Sequence, residues 1–226
     1  MGLNSKNNFS KSILWAFFIC LLFSGCFKDI THKTIVYDNH FEDSSRLGLK
    51  IFGPNGKEDS LKSFNFNNTL VFGRFKDNAV VFKLDQIPTH NVIKIEFDLY
   101  LHDNWKGNFK SPGITNPDIW VLKLDNNPVY QTTFSNGNQD QSFPDNYNYQ
   151  PVPIRNLAFS NAWGKLDGVC SKAGQKDGTS LYKIEYNTSH QGPIELIFQD
   201  VSFSASTECQ KSWSIDNLRI TTILYN

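Results

Sequence analysis

The chain has 226 residues, with 22 basic and 22 acidic side chains and no formal net charge. No basic stripe runs along it to follow a phosphate backbone, which argues against nucleic acid as a partner. At 39% hydrophobic and 14% aromatic residues it can fill one buried core, and about 200 residues is an ordinary size for a single all-β domain.

In residues 1–25, Lys6 and Lys11 precede an apolar run from Ile13 to Phe23 that is followed by Ser24 and Gly25. A bilayer-spanning helix needs about 20 apolar residues, so this shorter run with a basic start reads as a cleaved secretory signal. The string LLFSGC, residues 21–26, resembles the lipobox of bacterial lipoproteins, with Phe23 where leucine is usual. That resemblance implies cleavage before Cys26 and lipidation of its thiol; plain secretion is the alternative. The FKD that follows resembles the surface-export signal of Bacteroidetes-type lipoproteins, which favours the cell surface of the outer membrane over its periplasmic face. Acyl chains, each contributing about 0.8 kcal/mol per buried methylene, would anchor the chain without a transmembrane helix. Residues 26–33 then form the lipidated cysteine and its tether, and residues 34–226 one domain.

From Thr34 onward the pattern is of strands and turns. The runs at 69–75, 78–85, 92–103, 118–125, 129–135, 180–187, 194–203 and 211–220 are each bounded by Gly, Pro, Asn or Asp. In residues 92–103, Ile93, Ile95, Phe97, Leu99 and Leu101 alternate with Lys94, Glu96, Asp98, Tyr100 and His102. A period of two predicts one buried face and one wet face. DNNP at 125–128 signals a hairpin. Many short strands with turn residues between them predict an antiparallel β-sandwich or jelly roll. Residues 136–179, rich in Asn, Gln, Pro, Gly and Asp, read as a loop-rich insertion that carries Tyr147, Tyr149 and Trp163.

Of four cysteines, Cys20 would leave with the signal and Cys26 would carry lipid. Cys170 and Cys209 then remain for one disulfide in an exported domain, two free thiols being the alternative.

Two constellations carry chemistry. The first joins VYDNHFEDS at 36–44 to SIDN at 214–217. An early Phe-Glu and a late Ile-Asp-Asn resemble the motifs of calcium-binding jelly-roll carbohydrate-binding modules of galactose-binding-like fold. The resemblance implies a structural calcium tied by Glu42 and Asp216, with Asp38 and Asp43 as helpers. A hard cation takes six to eight oxygens, and carboxylates from remote chain positions supply them; separate surface acids are the alternative. The second constellation is HDNWKGN at 102–108 followed by PDIW at 117–120. Trp105, Asp103, Asn104, Asn108 and Asp118 place an indole beside amides and acids, a set suited to stacking on a sugar and pairing with its hydroxyls. Trp105 lies in a glycine-containing loop, whereas Trp120, inside an alternating strand, reads as core.

Catalytic signals are weak. Glu96 and Asp98 begin the Glu-x-Asp-x-x-Glu strand motif of laminarinase-like hydrolases, but Leu101 stands where its last glutamate belongs. The five histidines lack zinc spacing, and neither a nucleophile elbow nor a phosphate loop occurs. The sequence therefore predicts a non-catalytic extracellular module, calcium-stabilised and binding a glycan. A structural or adhesive protein that binds another protein is the second reading, and a glycan hydrolase or lyase the third.

Overall fold

The structure, a computed structural model, describes residues 30–43, 45–148 and 154–226. The signal, Cys26, the export motif and Tyr149 lie outside them. Among the described residues no helix is long and apolar enough to cross a membrane.

The domain is an antiparallel β-sandwich. Its first strand, β1 (Ile30–Asn39), leads into the short strands β2 (Leu49–Phe52), β3 (Glu58–Asp59) and β4 (Ser63–Phe66). There follow β5 (Thr69–Phe75), β6 (Ala79–Leu84), β7 (Val92–Asp103), β8 (Ile119–Leu124) and β9 (Asn127–Thr132). The chain ends with β10 (Gly164–Leu166), β11 (Thr179–Ser189), β12 (Ile194–Val201) and β13 (Lys211–Tyr225). One sheet has the order β10-β11-β7-β13-β5-β4 with β1 also on β13, and the other the order β3-β2-β6-β12-β8-β9. The eight runs marked by alternation became β5 to β9 and β11 to β13. The DNNP turn joins β8 to β9 with Asp125 and Asn126 both at positive φ, 48° and 64°, the backbone of a tight hairpin.

Ile93, Ile95, Phe97, Leu99 and Leu101 of β7 all face the core, with 3% exposure or less. They meet Trp120, Leu122, Phe82 and Phe198 of the opposite sheet in one apolar cluster. The reverse face of β7 departs from the expected wet face. Lys94 and Glu96 are part-exposed, but Tyr100 and His102 are buried, because the edge strand β4 lays Phe64 and Phe66 over them. Phe66 packs edge-on to both rings, at 5.6 and 5.0 Å. Beneath, β5 approaches β13 so closely that a Cβ on Gly73 would lie 2.2 Å from Ser214 Oγ.

The loop-rich insertion packs inward. Phe143 lies against Phe134 and Tyr182. The side chain of Gln141 accepts from Ser135 N and Tyr182 Oη, and donates to the carbonyls of Phe143 and Ser160. Cys170 and Cys209 form the expected disulfide, 39 residues apart. Loop closure of that length restrains the unfolded chain by about 4 kcal/mol.

His102 gives the fold a pH dependence. It is wholly buried, with Nδ1 at 3.1 Å from Thr179 Oγ1 and Nε2 at 2.9 Å from Ser214 Oγ. Burial first, and the charge of Arg74 second, push its pKa down to about 3. The unfolded chain takes up this proton below about pH 6.5 while the native state refuses it. Stability is therefore full above that value and falls as the pH drops toward 3. His102→Gln should flatten this acid limb by up to one proton, about 1.4 kcal/mol per pH unit, in urea unfolding measured between pH 7 and 4. An unchanged slope would contradict the assignment.

Candidate functional site

The central strand β13 pairs with β7 through Asp216, breaks register, and resumes at Arg219 opposite Glu96. In that bulge Asn217 has φ of 53°, a left-handed conformation that asparagine tolerates better than most residues. On its other side β13 pairs with β5 up to Ile215 and with β1 from Leu218 onward. The bulge marks this exchange of partners, and it is what the Asp-Asn pair in the last strand encodes.

Glu42 and Asp216 approach each other here through Thr69. Phe41 turns inward at φ 57° and stacks on Phe72 with centroids 5.1 Å apart, which leaves Glu42 on the surface. Thr69 Oγ1 donates to Glu42 Oε1 and lies 3.4 Å from Asp216 Oδ2. Asp98, missed as a member of this group, approaches from β7 and accepts from Asn217 Nδ2 at 2.8 Å. Burial, then the charges of Asp98 and Glu42, push Asp216 up to about 6. Crowded carboxylates with a rising pKa are what a bound cation relieves. Among the described residues no three His, Cys, Asp or Glu side chains form a metal cluster. A cation here would therefore take the carboxylates of Glu42 and Asp216 and complete its shell with neutral oxygens such as Thr69 Oγ1. The two proposed helpers are otherwise engaged. Asp38 forms a two-pronged pair with Arg219 at 3.2 and 3.0 Å, and Asp43 caps Ser45 N at 2.7 Å.

In the second constellation the structure differs from the expectation that Trp105 is exposed in its loop. Asp103, at φ 65°, turns the chain at the end of β7 and sends Trp105 into the core. Trp105 is 2% exposed and donates Nε1–H to Ser212 O at 2.8 Å. Asp103 is itself fully buried, and its Oδ1 accepts from the N–H groups of Cys170 and Lys172. Asn104 donates to Ser171 Oγ. Asn108 accepts from Thr133 and Ser142 and donates to Ile154 O. Asp118 binds Lys211 Nζ at 2.9 Å and caps the N–H groups of Phe203 and Ser204. All five side chains hold loops together.

An exposed indole lies elsewhere. Of the described tryptophans, Trp105, Trp120 and Trp213 are buried, while Trp163 is 71% exposed. It immediately precedes β10, at the edge of the seven-stranded sheet, and Lys183 Nζ of β11 sits 4.9 Å from its ring. Lys183 in turn lines a cavity of about 520 Å³ on the outer face of that sheet, with His40, Glu96, Asp98, Glu185, Asn217 and Arg219. Within it runs a chain of contacts from His40 Nδ1 to Asn217 Oδ1 at 2.6 Å and from Asn217 Nδ2 to Asp98. Glu96 and Glu185 lie opposite each other in register. Lys94 bridges both, at 2.9 and 3.0 Å, and its hydrogen bond to Glu185 holds that carboxyl below the ordinary range.

No known protein family matches the sequence, and no curated protein matches it. Among solved structures the chain is similar to a family 35 carbohydrate-binding module from Clostridium thermocellum, at 9% identity and a TM-score of 0.34, over 84% of this chain and 98% of that one. It is similar also to a carbohydrate-binding module specific for non-crystalline cellulose, at 13% identity and 0.38, over 85% and 94%. A Clostridium perfringens module solved with methyl-galactose matches at 10% and 0.30, over 85% and 94%. At these identities the likeness concerns the sandwich alone.

The bulge can be tested directly. Asn217→Ala loses both the side-chain bonds and the tolerance for positive φ, and should cost about 1–3 kcal/mol. Asn217→Gly keeps the backbone freedom and should cost less. Equal losses in chemical denaturation would show that the backbone conformation is not what selects asparagine.

Proposed function

We propose that this chain is a non-catalytic, calcium-stabilised module that binds a glycan on the outer face of its seven-stranded sheet. The observation that carries this reading is the exposed indole of Trp163 against Lys183, a side chain that also lines a cavity with carboxylates, an amide and an arginine. A sugar ring offers a C–H face to the indole and hydroxyls to the polar groups, so both chemistries are served from one surface. The reaction class of a glycosidase fits less well. A general acid must hold its proton near neutral pH; Glu185 is kept ionised by Lys94, and the one carboxyl here raised to about 6, Asp216, is taken in this reading by the cation.

Calcium at Glu42 and Asp216 would tie the start of the domain to its last strand, at the border of the same cavity. Its role in this proposal is stability and the placement of Asn217 and Asp98, and it takes no part in chemistry. Lipidation at Cys26 would hold the module at the outer membrane, with its sugar-binding face directed to the surroundings. That part of the proposal rests on the sequence motif at 21–29.

A glycan array probed with calcium and again with chelator tests the reading. Binding should be lost in Trp163→Ala, and it should survive in Trp105→Phe if that variant folds. Calcium should raise the melting temperature of the wild type and leave that of Glu42→Gln unchanged, as a native-state ligand must. Folded, calcium-loaded protein that binds nothing on a broad array would move the weight to a protein partner. A melting temperature indifferent to calcium would remove the ion from the account.

A further inference from the structure

Where β13 begins, a lysine is buried between two acids from the other side of the sandwich. Lys211 is 1% exposed. Its Nζ lies 2.9 Å from Asp118 Oδ2, 3.8 Å from Asp200 Oδ2 and 2.8 Å from Ser202 Oγ, with the Trp105 ring 4.8 Å away. Asp118 immediately precedes β8 and Asp200 lies near the end of β12, both strands of the six-stranded sheet, while Lys211 opens the central strand of the seven-stranded sheet.

The arrangement does more than neutralise a charge. Asp118 Oδ1 receives two main-chain N–H groups, from Phe203 at 2.8 Å and Ser204 at 3.1 Å, the geometry that stabilises an oxyanion. Its other oxygen, Oδ2, faces Nζ and accepts from Ser204 Oγ at 2.8 Å. Asp200 is pinned through Oδ1 by Trp213 Nε1 and Asp77 N, both at 2.8 Å. Its Oδ2 accepts from Ser202 Oγ at 3.1 Å. A continuous path for a proton therefore runs from Nζ through Ser202 to Asp200.

We propose that Lys211 and Asp118 join in an isopeptide bond, formed by the folded protein itself, with Asp200 as the proton shuttle. One Nζ proton moves to Asp118 Oδ2 along their hydrogen bond, leaving a neutral amine beside a neutral carboxyl. This is the uphill step: burial raises the Asp118 carboxyl, but Lys211 and Ser204 outweigh it and hold the group below its ordinary value. The amine lone pair attacks Asp118 Cγ, the nitrogen–carbon bond forms, and the carbonyl electron pair moves onto Oδ1 between its two N–H donors. The nitrogen, now cationic, releases a second proton through Ser202 to Asp200. Burial favours this step, raising the Asp200 carboxyl against the charge of Lys211 and the hydrogen bonds of Trp213 and Ser202. Asp200 passes its proton to Oδ2, the carbon–Oδ2 bond breaks as the Oδ1 electron pair re-forms the carbonyl, and one water leaves. An ammonium and a carboxylate become an amide and water, with Asp200 regenerated and no other reactant needed. The product also removes an ion pair from a dry interior, where desolvation opposes the gain from pairing. The bond would tie the two sheets covalently, independently of the disulfide.

Tryptic mapping of the purified, reduced full-length chain tests this. Cleavage sites place Asp118 in peptide 111–123 and Lys211 at the end of peptide 184–211. The cross-link predicts one branched species, 111–123 joined to 184–219, lighter than the sum of its parts by one water, since trypsin does not cut after an amidated lysine. Asp200→Asn should yield the separate linear peptides. Linear 111–123 and 184–211 from the wild type would overturn the proposal. A branched species in folded Asp200→Asn would overturn the role of Asp200.

Discussion

The outer face of this domain is arranged by one constraint, the continuity of β13 along β7. A single long strand serves two neighbours in succession on its other side, β5 and then β1. The exchange requires a bulge, and the bulge requires a residue that accepts a left-handed backbone. Asn217 meets that requirement, and its amide then links His40 to Asp98. Asp216 beside it is drawn below the surface toward Thr69 and Glu42. The acidic pair, the hydrogen-bond chain and the floor of the cavity thus all originate in one break of register.

The same strands divide the outer face into two parts of different character. Toward β4, Phe64 and Phe66 cover Tyr100 and His102 and exclude water. Toward β1 and the far halves of β7 and β11, charged side chains line the open cavity, with Trp163 at the sheet's other edge. The dry half fixes the sheet, and a rigid sheet is the better support for a binding surface. Behind it, the buried Lys211 cluster joins the two sheets at the end of β13 opposite to Tyr225, where β1 begins.

What was legible in the sequence depended on the range of the interaction. Alternation in 92–103 revealed the inner face of β7 because side-chain direction in a strand is a local property. Phe41-Glu42 and Asp216-Asn217 could be paired because short motifs marked both ends of one contact. Trp105 was misplaced for a non-local reason: its burial follows from the turn at Asp103 and from Ser212, more than 100 residues away. Trp163 was visible as an aromatic in a loop-rich stretch, but its exposure depends on how that stretch folds back against β11. Lys211 opens the 211–220 run, and nothing in its neighbours announced that Asp118 and Asp200 would enclose it. The covering of His102 was equally hidden, since β4 was too short to mark itself by pattern.

The most direct test of the account is a nuclear magnetic resonance titration of the isotopically labelled chain with the best-binding oligosaccharide from the array. If the glycan binds on the outer face, the indole N–H of Trp163 shifts together with the amides of Lys183, Glu185 and Asn217, while the segment from Asp103 to Asn108 stays in place. Shifts confined to that segment, with the Trp163 indole unmoved, would contradict it.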